Sequence, residues 1–269
     1  MRIVLTLALL LAGVGGAWAE TVVLASTTSV ENSGLLAHIL PRFERESGIE
    51  VRVLALGTGQ ALAVTARGDA DLLLVHDPEA EAAFMAAGHG ESRRFVAWND
   101  FILVGPAADP AHVKGGHDAQ AALLAIKAAQ EPFVSRGDKS GTNALELRLW
   151  RAAGLDPAEF GAWYKDIGGG MGAALNAASA MGAYTISDRG TWIAFNNKGD
   201  LVIAVEGATA LLNVYSVIVP NPAEHREEGR APARRLADWL LSAEGQAEIA
   251  GYRLGGQTLF HPNADPLPR

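Results

Sequence analysis

The sequence has no cysteine. That excludes disulfides, thiolate metal sites and cysteine nucleophiles. Positive charge is also scarce: 22 Lys and Arg stand against 30 Asp and Glu, a formal net charge of −8. Such a balance argues against nucleic acid and anionic membrane surfaces as general partners, although a local site can oppose the global charge. After the first residues, no apolar run reaches the ~20 residues that a membrane-spanning helix needs. G-x-S-x-G, H-E-x-x-H and G-x-x-x-x-G-K-[ST] are all missing, so the common hydrolase, metalloprotease and P-loop signatures are absent. The seven histidines are scattered; only His112 and His117 lie near one another, in a segment that reads as a loop.

What is there is a globular composition: 269 residues, 49% hydrophobic and 19% charged, enough for one large domain or two ordinary ones. The first nineteen residues read as a secretory signal peptide. Arg2 supplies the positive end, Ile3 to Leu11 the apolar core, and Ala17-Trp18-Ala19 a small-x-small cleavage pattern before Glu20. The expectation is a chain exported to the periplasm. With no cysteine to carry a lipid, it would be free of a bacterial lipoprotein anchor.

From residue 20 onward, strand and helix patterns alternate. Val22–Ala25 reads as a buried strand. Ser33–Glu46 shows a helical stripe of Leu35, Leu36, Ile39, Leu40 and Phe43, which Pro41 is expected to kink or end early. Ile49–Leu56 is a strand, a helix follows from Gly57-Thr58-Gly59, and Asp71–His76 holds the continuous apolar run of a parallel-sheet strand. Helices are expected at Pro78–Ala87, Ala119–Gln130, Ser140–Ala153 and after Gly168, and one at Arg230–Tyr252. Strands are expected at Phe95–Val104, Pro132–Ser135, Ala183–Ser187, Leu201–Val205 and Leu211–Val219. The class is α/β with mostly parallel sheets flanked by helices. Crossings near residues 100 and 214 suggest two lobes, 20–100 plus 215–269 and 101–214. The pattern alone leaves open a single doubly wound domain.

One device recurs. Three times a strand ends in hydroxyl or glycine residues and a helix follows: Ser26-Thr27-Thr28-Ser29, Gly57-Thr58-Gly59, and Ser135-Arg136-Gly137-Asp138-Lys139-Ser140-Gly141-Thr142. A helix start offers unpaired N–H groups and a partial positive charge, a ready place for an anion. Each segment alone is more simply a helix cap. Strand C-termini in an α/β lobe open on one edge, so such loops can converge, and with Arg136 among them they suggest an oxyanion site. A surface ion pair with Asp138 is the plain alternative for Arg136.

These strings resemble the periplasmic tungstate-binding proteins of ABC importers. So do Leu54 to Leu62, Gly68 to His76, Asn99 to Pro106 and Gly182 to Thr191. The resemblance spans nearly all of the chain after residue 19. It implies a two-lobed periplasmic-binding-protein fold with the ligand cleft at the hinge. It carries the family's hydroxyl cluster onto Thr27, Thr28 and Ser29, its arginine onto Arg136 and a threonine onto Thr142. Thr58 and Gly59 are carried into the site as well. It also implies a ligand, tungstate or its close analogue molybdate, no cofactor, no metal bound other than as the oxyanion, and an inner-membrane ABC permease as partner. A shuttle of this kind works as a monomer and has no enzymatic turnover. The readings kept beside it are a molybdate or phosphate binder and a secreted hydrolase.

Overall fold

The β-branched and leucine-rich runs form strands because both of their faces are covered. In the computed structural model, which describes residues 20–224 and 227–265, the chain opens with β1 (Thr21–Thr27), α1 (Thr28–Asn32), α2 (Leu35–Ser47), β2 (Glu50–Leu56), α3 (Thr58–Ala66), β3 (Leu72–Val75) and α4 (Pro78–Ala86). The signal-peptide reading of residues 1–19 lies outside the described residues. A 17-residue strand, β4 (Gly90–Pro106), then leads into α5 (Ala119–Ala129), β5 (Phe133–Ser135), α6 (Gly141–Ala152), β6 (Tyr164–Asp166), α7 (Met171–Met181), β7 (Tyr184–Asp188), α8 (Arg189–Ala194) and β8 (Leu201–Val205). The return strand β9 (Leu212–Pro220) precedes α9 (Glu227–Leu241), α10 (Ala243–Gly251) and three two-residue strands, β10 (Arg253–Leu254), β11 (Gln257–Thr258) and β12 (His261–Pro262). Among the described residues, no helix is long and apolar enough to cross a membrane.

The fold is α/β and two-lobed. In the first sheet β1 pairs in parallel with both β2 and β3. In the second, β5 pairs in parallel with both β6 and β7. The antiparallel pairs of these two sheets all involve β4 or β9. The start of β4 runs along β9, and β9 borders β3. The end of β4 runs along β7 and β8. β4 therefore belongs to both sheets.

The core follows the two-residue period of the strands. On β3, Leu72 and Leu74 pack under α2 and α9 with Ile39, Phe43 and Leu236, while Leu73 and Val75 face Ala61 of α3 and Phe84 of α4. On β4, Phe101 and Leu103 join Leu149 and Trp150 of α6, while Ile102 and Val104 join Leu175 and Ala178 of α7. No face of these strands is left to water, which explains their unbroken apolar runs.

Two expectations need correcting. Pro41 sits inside α2 without ending it. The stripe of Leu35, Leu36, Ile39, Leu40 and Phe43 is buried on both sides of the proline, and that packing outweighs one missing amide bond. The tail is two helices rather than one. Ser242 separates them, and its hydroxyl accepts a hydrogen bond from the Gly245 amide at 3.1 Å to start α10.

Candidate functional site

The three strand-to-helix segments named from the sequence meet at one cavity of about 510 Å³. Thr27 is the last residue of β1 and caps α1, its hydroxyl accepting from the Val30 amide at 3.2 Å. Thr28 and Ser29 are the first residues of that helix and line the cavity. Gly57 caps α3 and Thr58, buried, begins it; both line the cavity. Gly59, one residue further, is not among the lining residues.

The third segment is the most constrained. Leaving β5, the chain turns at Gly137 with φ +61°, and a Cβ there would lie 1.5 Å from an oxygen of Asp166. Only glycine fits that turn. It folds the loop back so that the guanidinium of Arg136 donates from Nε and Nη2 to Oδ2 of Asp138, and from Nη1 to Thr142 Oγ1 at 3.2 Å. The Arg136 side chain is only 11% exposed and lines the cavity. The sequence alternatives for Arg136 are thus not exclusive, since it makes the ion pair inside the site. Burial pushes the Asp138 carboxyl up, but Ser140 and Arg136 more than offset it and hold it below the usual carboxylate range. Ser140 caps α6, accepting from the Asn143 amide. Behind the loop, Glu146 accepts from Ser135, Trp150 and Tyr164 and ties α6 to β5 and β6. Burial raises that carboxyl to about 7 despite these three donors.

The cavity gains two more helix starts from the second sheet. Gly170, Met171 and Gly172 open α7, and Asp188, Gly190 and Thr191 open α8. Five helices, α1, α3, α6, α7 and α8, therefore begin at one cavity. A helix N-terminus favours an anion by about 0.3–1 kcal/mol when exposed, and more when partly buried; that of α8 is already met by the Asp188 carboxylate. Among the described lining residues the formal charges are Arg136 against Asp138 and Asp188. Asp188 is engaged by the Thr191 amide and hydroxyl, both at 2.7 Å. Among the described residues no group of three or more His, Asp or Glu stands close enough to hold a metal ion. What the cavity offers is hydroxyls, helix-start amides and one guanidinium, a donor set suited to a small oxyanion.

Comparison with known proteins bears on what this donor set is for. The family model for the PBP superfamily domain matches residues 15–244. The chain belongs to the PBP superfamily. Within this superfamily it is 45% identical to the tungstate-binding protein TupA of Peptoclostridium acidaminophilum, over 91% of this chain and 86% of that protein. The solved structure of the tungstate-binding protein TupA from Desulfovibrio alaskensis G20 is 43% identical, covers 92% of this chain and 100% of that one, and superposes with a TM-score of 0.84. The crystal structure of the tungstate ABC transporter from Geobacter sulfurreducens is 41% identical over 87% of this chain and 99% of that chain, with a TM-score of 0.77.

In this PBP-superfamily chain the site also contains a residue the sequence reading passed over. His76 follows β3 directly, at the same sheet edge as Thr27, and is 6% exposed. Its Nε2 lies 3.0 Å from Thr27 Oγ1 and 2.9 Å from Ser29 Oγ, and those two hydroxyls are 2.9 Å apart. Its Nδ1 lies 2.8 Å from Asn213 Oδ1. Asn213 in turn donates from Nδ2 to Asn99 Oδ1 and to the Tyr215 hydroxyl. Nδ1 therefore carries the ring hydrogen and Nε2 accepts from a hydroxyl. Burial lowers the His76 pKa, outweighing Asn213, Asp188 and Asp77, so the ring is neutral at pH 7. The available signal was position: a histidine at the C-terminal end of a buried parallel strand sits where ligands bind in such sheets.

Proposed function

We propose that this chain is the periplasmic solute-binding component of an ABC importer, capturing tungstate and delivering it to an inner-membrane permease. The observation that carries this reading is the convergence of the helix starts of α1, α3, α6 and α7, their hydroxyls and Arg136 on one cavity. The names of relatives at 41–45% identity point to the same ligand. Thr27, Thr28, Ser29, Thr58, Arg136 and Thr142 would contact the oxyanion's oxygens. A monomer of two lobes, 20–100 plus 215–269 and 101–214, would close over it. The apolar clusters support that division, since the fully buried members of two lie within 22–97 and 215–260 and those of the other two within 101–211, with Ile193 of α8 packing across onto the first. The carboxylate acceptors of the lining are Asp138 and Asp188, and both already take hydrogen bonds from the protein, Asp138 from Arg136 and the Ser140 amide and Asp188 from the Thr191 amide and hydroxyl. This disfavours monohydrogen phosphate, whose proton needs an acceptor.

One observation favours a different activity. Ser29, His76 and Asn213 stand in the order nucleophile, base and orienter that acyl transfer uses. Against it, Thr27 shares the same ring nitrogen with Ser29. The deciding experiment is thermal unfolding with tungstate, molybdate, sulfate and phosphate in parallel, alongside turnover assays on nitrophenyl esters. Ligand at 100 times its Kd adds about 2.7 kcal/mol of stability. A large upward shift with tungstate, a smaller one with molybdate and no ester turnover are expected. A shift with phosphate or sulfate alone overturns the tungstate reading, and ester turnover that a Ser29→Ala variant loses replaces it with a hydrolase.

A further inference from the structure

Thr27, Ser29 and His76 Nε2 form a triangle with sides of 2.9–3.0 Å. In the neutral ring the triangle holds two hydroxyl hydrogens and one nitrogen lone pair. Because Asn213 keeps the ring hydrogen on Nδ1, at least one hydroxyl must point inward to satisfy Nε2. A bound oxyanion wants both hydroxyls pointing outward. The second mismatch is charge. A tungstate dianion would enter a lining whose formal charges are Arg136, Asp138 and Asp188, one positive against two negative.

Resting on the tungstate reading, we propose that His76 takes up a proton from solvent when the oxyanion binds, becoming the second cation of the site. The incoming proton goes to Nε2, which then donates to the hydroxyl pair. Thr27 and Ser29 both turn their hydrogens to the oxyanion's oxygens, and Nδ1 keeps its bond to Asn213. His76 touches the hydroxyls and not the ligand, so it is a positioning residue. The charged and titratable groups facing the ring are few. Asp77 and Asp188 favour the cation and Arg148 opposes it. Tyr215, its ring centroid 4.9 Å away, bonds to the same Asn213. From across the cleft, Gly141 at the start of α6 packs on the ring, where a Cβ would be 3.0 Å from Cε1. That contact excludes water, so the free site disfavours the proton and the dianion is what recruits it.

The sign follows from linkage. The free ring's pKa is lowered by burial and a bound dianion raises it. Binding therefore strengthens as pH falls through the bound-state pKa and levels off below the free-state one. The experiment is calorimetric titration of sodium tungstate into the purified chain between about pH 6.5 and about pH 9, in buffers of different ionisation enthalpy. Expected are uptake of up to one proton per tungstate and a Kd that weakens with rising pH, by up to tenfold per unit, until the bound-state pKa is passed. His76→Gln keeps a donor amide but cannot titrate, so it should take up no proton and show a flat pH profile. Tight wild-type binding without proton uptake overturns the inference and leaves the tungstate reading standing. So does uptake that persists in His76→Gln. No tungstate binding at any pH overturns the tungstate reading, and this inference with it.

Discussion

Arg136 is aimed before any ligand arrives. Asp138 holds one side of its guanidinium and Thr142 the other, so little side-chain entropy remains to be lost on binding. Arg136→Ala removes the fixed cation and leaves Asp138 unpaired in the cavity. Tungstate affinity measured by calorimetry should fall at least tenfold, while the unliganded protein still unfolds cooperatively. Unchanged affinity would remove Arg136 from the site. This residue was legible in the sequence because its whole setting is local: Asp138 and Thr142 lie two and six residues away. His76 was not, because its partners Thr27, Ser29 and Asn213 are 49, 47 and 137 residues away in the chain. No spacing rule reaches that far. The hydroxyl cluster was found by its helix-start pattern, but the direction of its hydrogen bonds is set by distant amides.

Among the elements, α6 has the most demanding placement. Its first turn brings Thr142 to the cavity and its third carries Arg148, which donates to Asp77 at the start of α4 at 3.3 Å. One helix of the second sheet thus spans to the first at both the ligand and the rim. Gly141 sets how close it comes. Gly141→Ala would press a methyl group against a buried ring held on both its nitrogens, so the helix must withdraw. The expected outcome is a tungstate Kd weakened several-fold with near-native thermal stability without ligand, read by calorimetry and by a melting curve. Equal affinity would mean the ring yields instead. Long elements with a clear apolar period, such as α2 and β3, were legible, because burial of one or both faces writes the pattern directly. α1, with five residues, and β6, with three, are too short to show a period. α1 exists because the Thr27 cap and the burial of Val30 hold it.

For the molecule as a whole, the two crossing strands decide the architecture. Sequence periodicity suggested crossings near residues 100 and 214 but could not say whether they divide the chain, since strand pairing is not visible in either strand alone. The pairing is direct: Asp100 of β4 lies opposite Leu212 of β9, and Asn99 opposite Asn213. Everything between leaves and re-enters the first sheet at that one rung. The second half is in this sense a passenger at the tip of a long hairpin. Replacing residues 101–211 with a two-residue Asn-Gly turn should close that hairpin with the turn chemistry that suits it. The shortened chain is expected to give helical and sheet circular dichroism with a cooperative melt, and no heat with tungstate. An unfolded product would show that the first half depends on its passenger. If the hairpin closes, the same rung becomes a socket: a foreign second half, with its own arginine loop, could be carried there and face the same threonines.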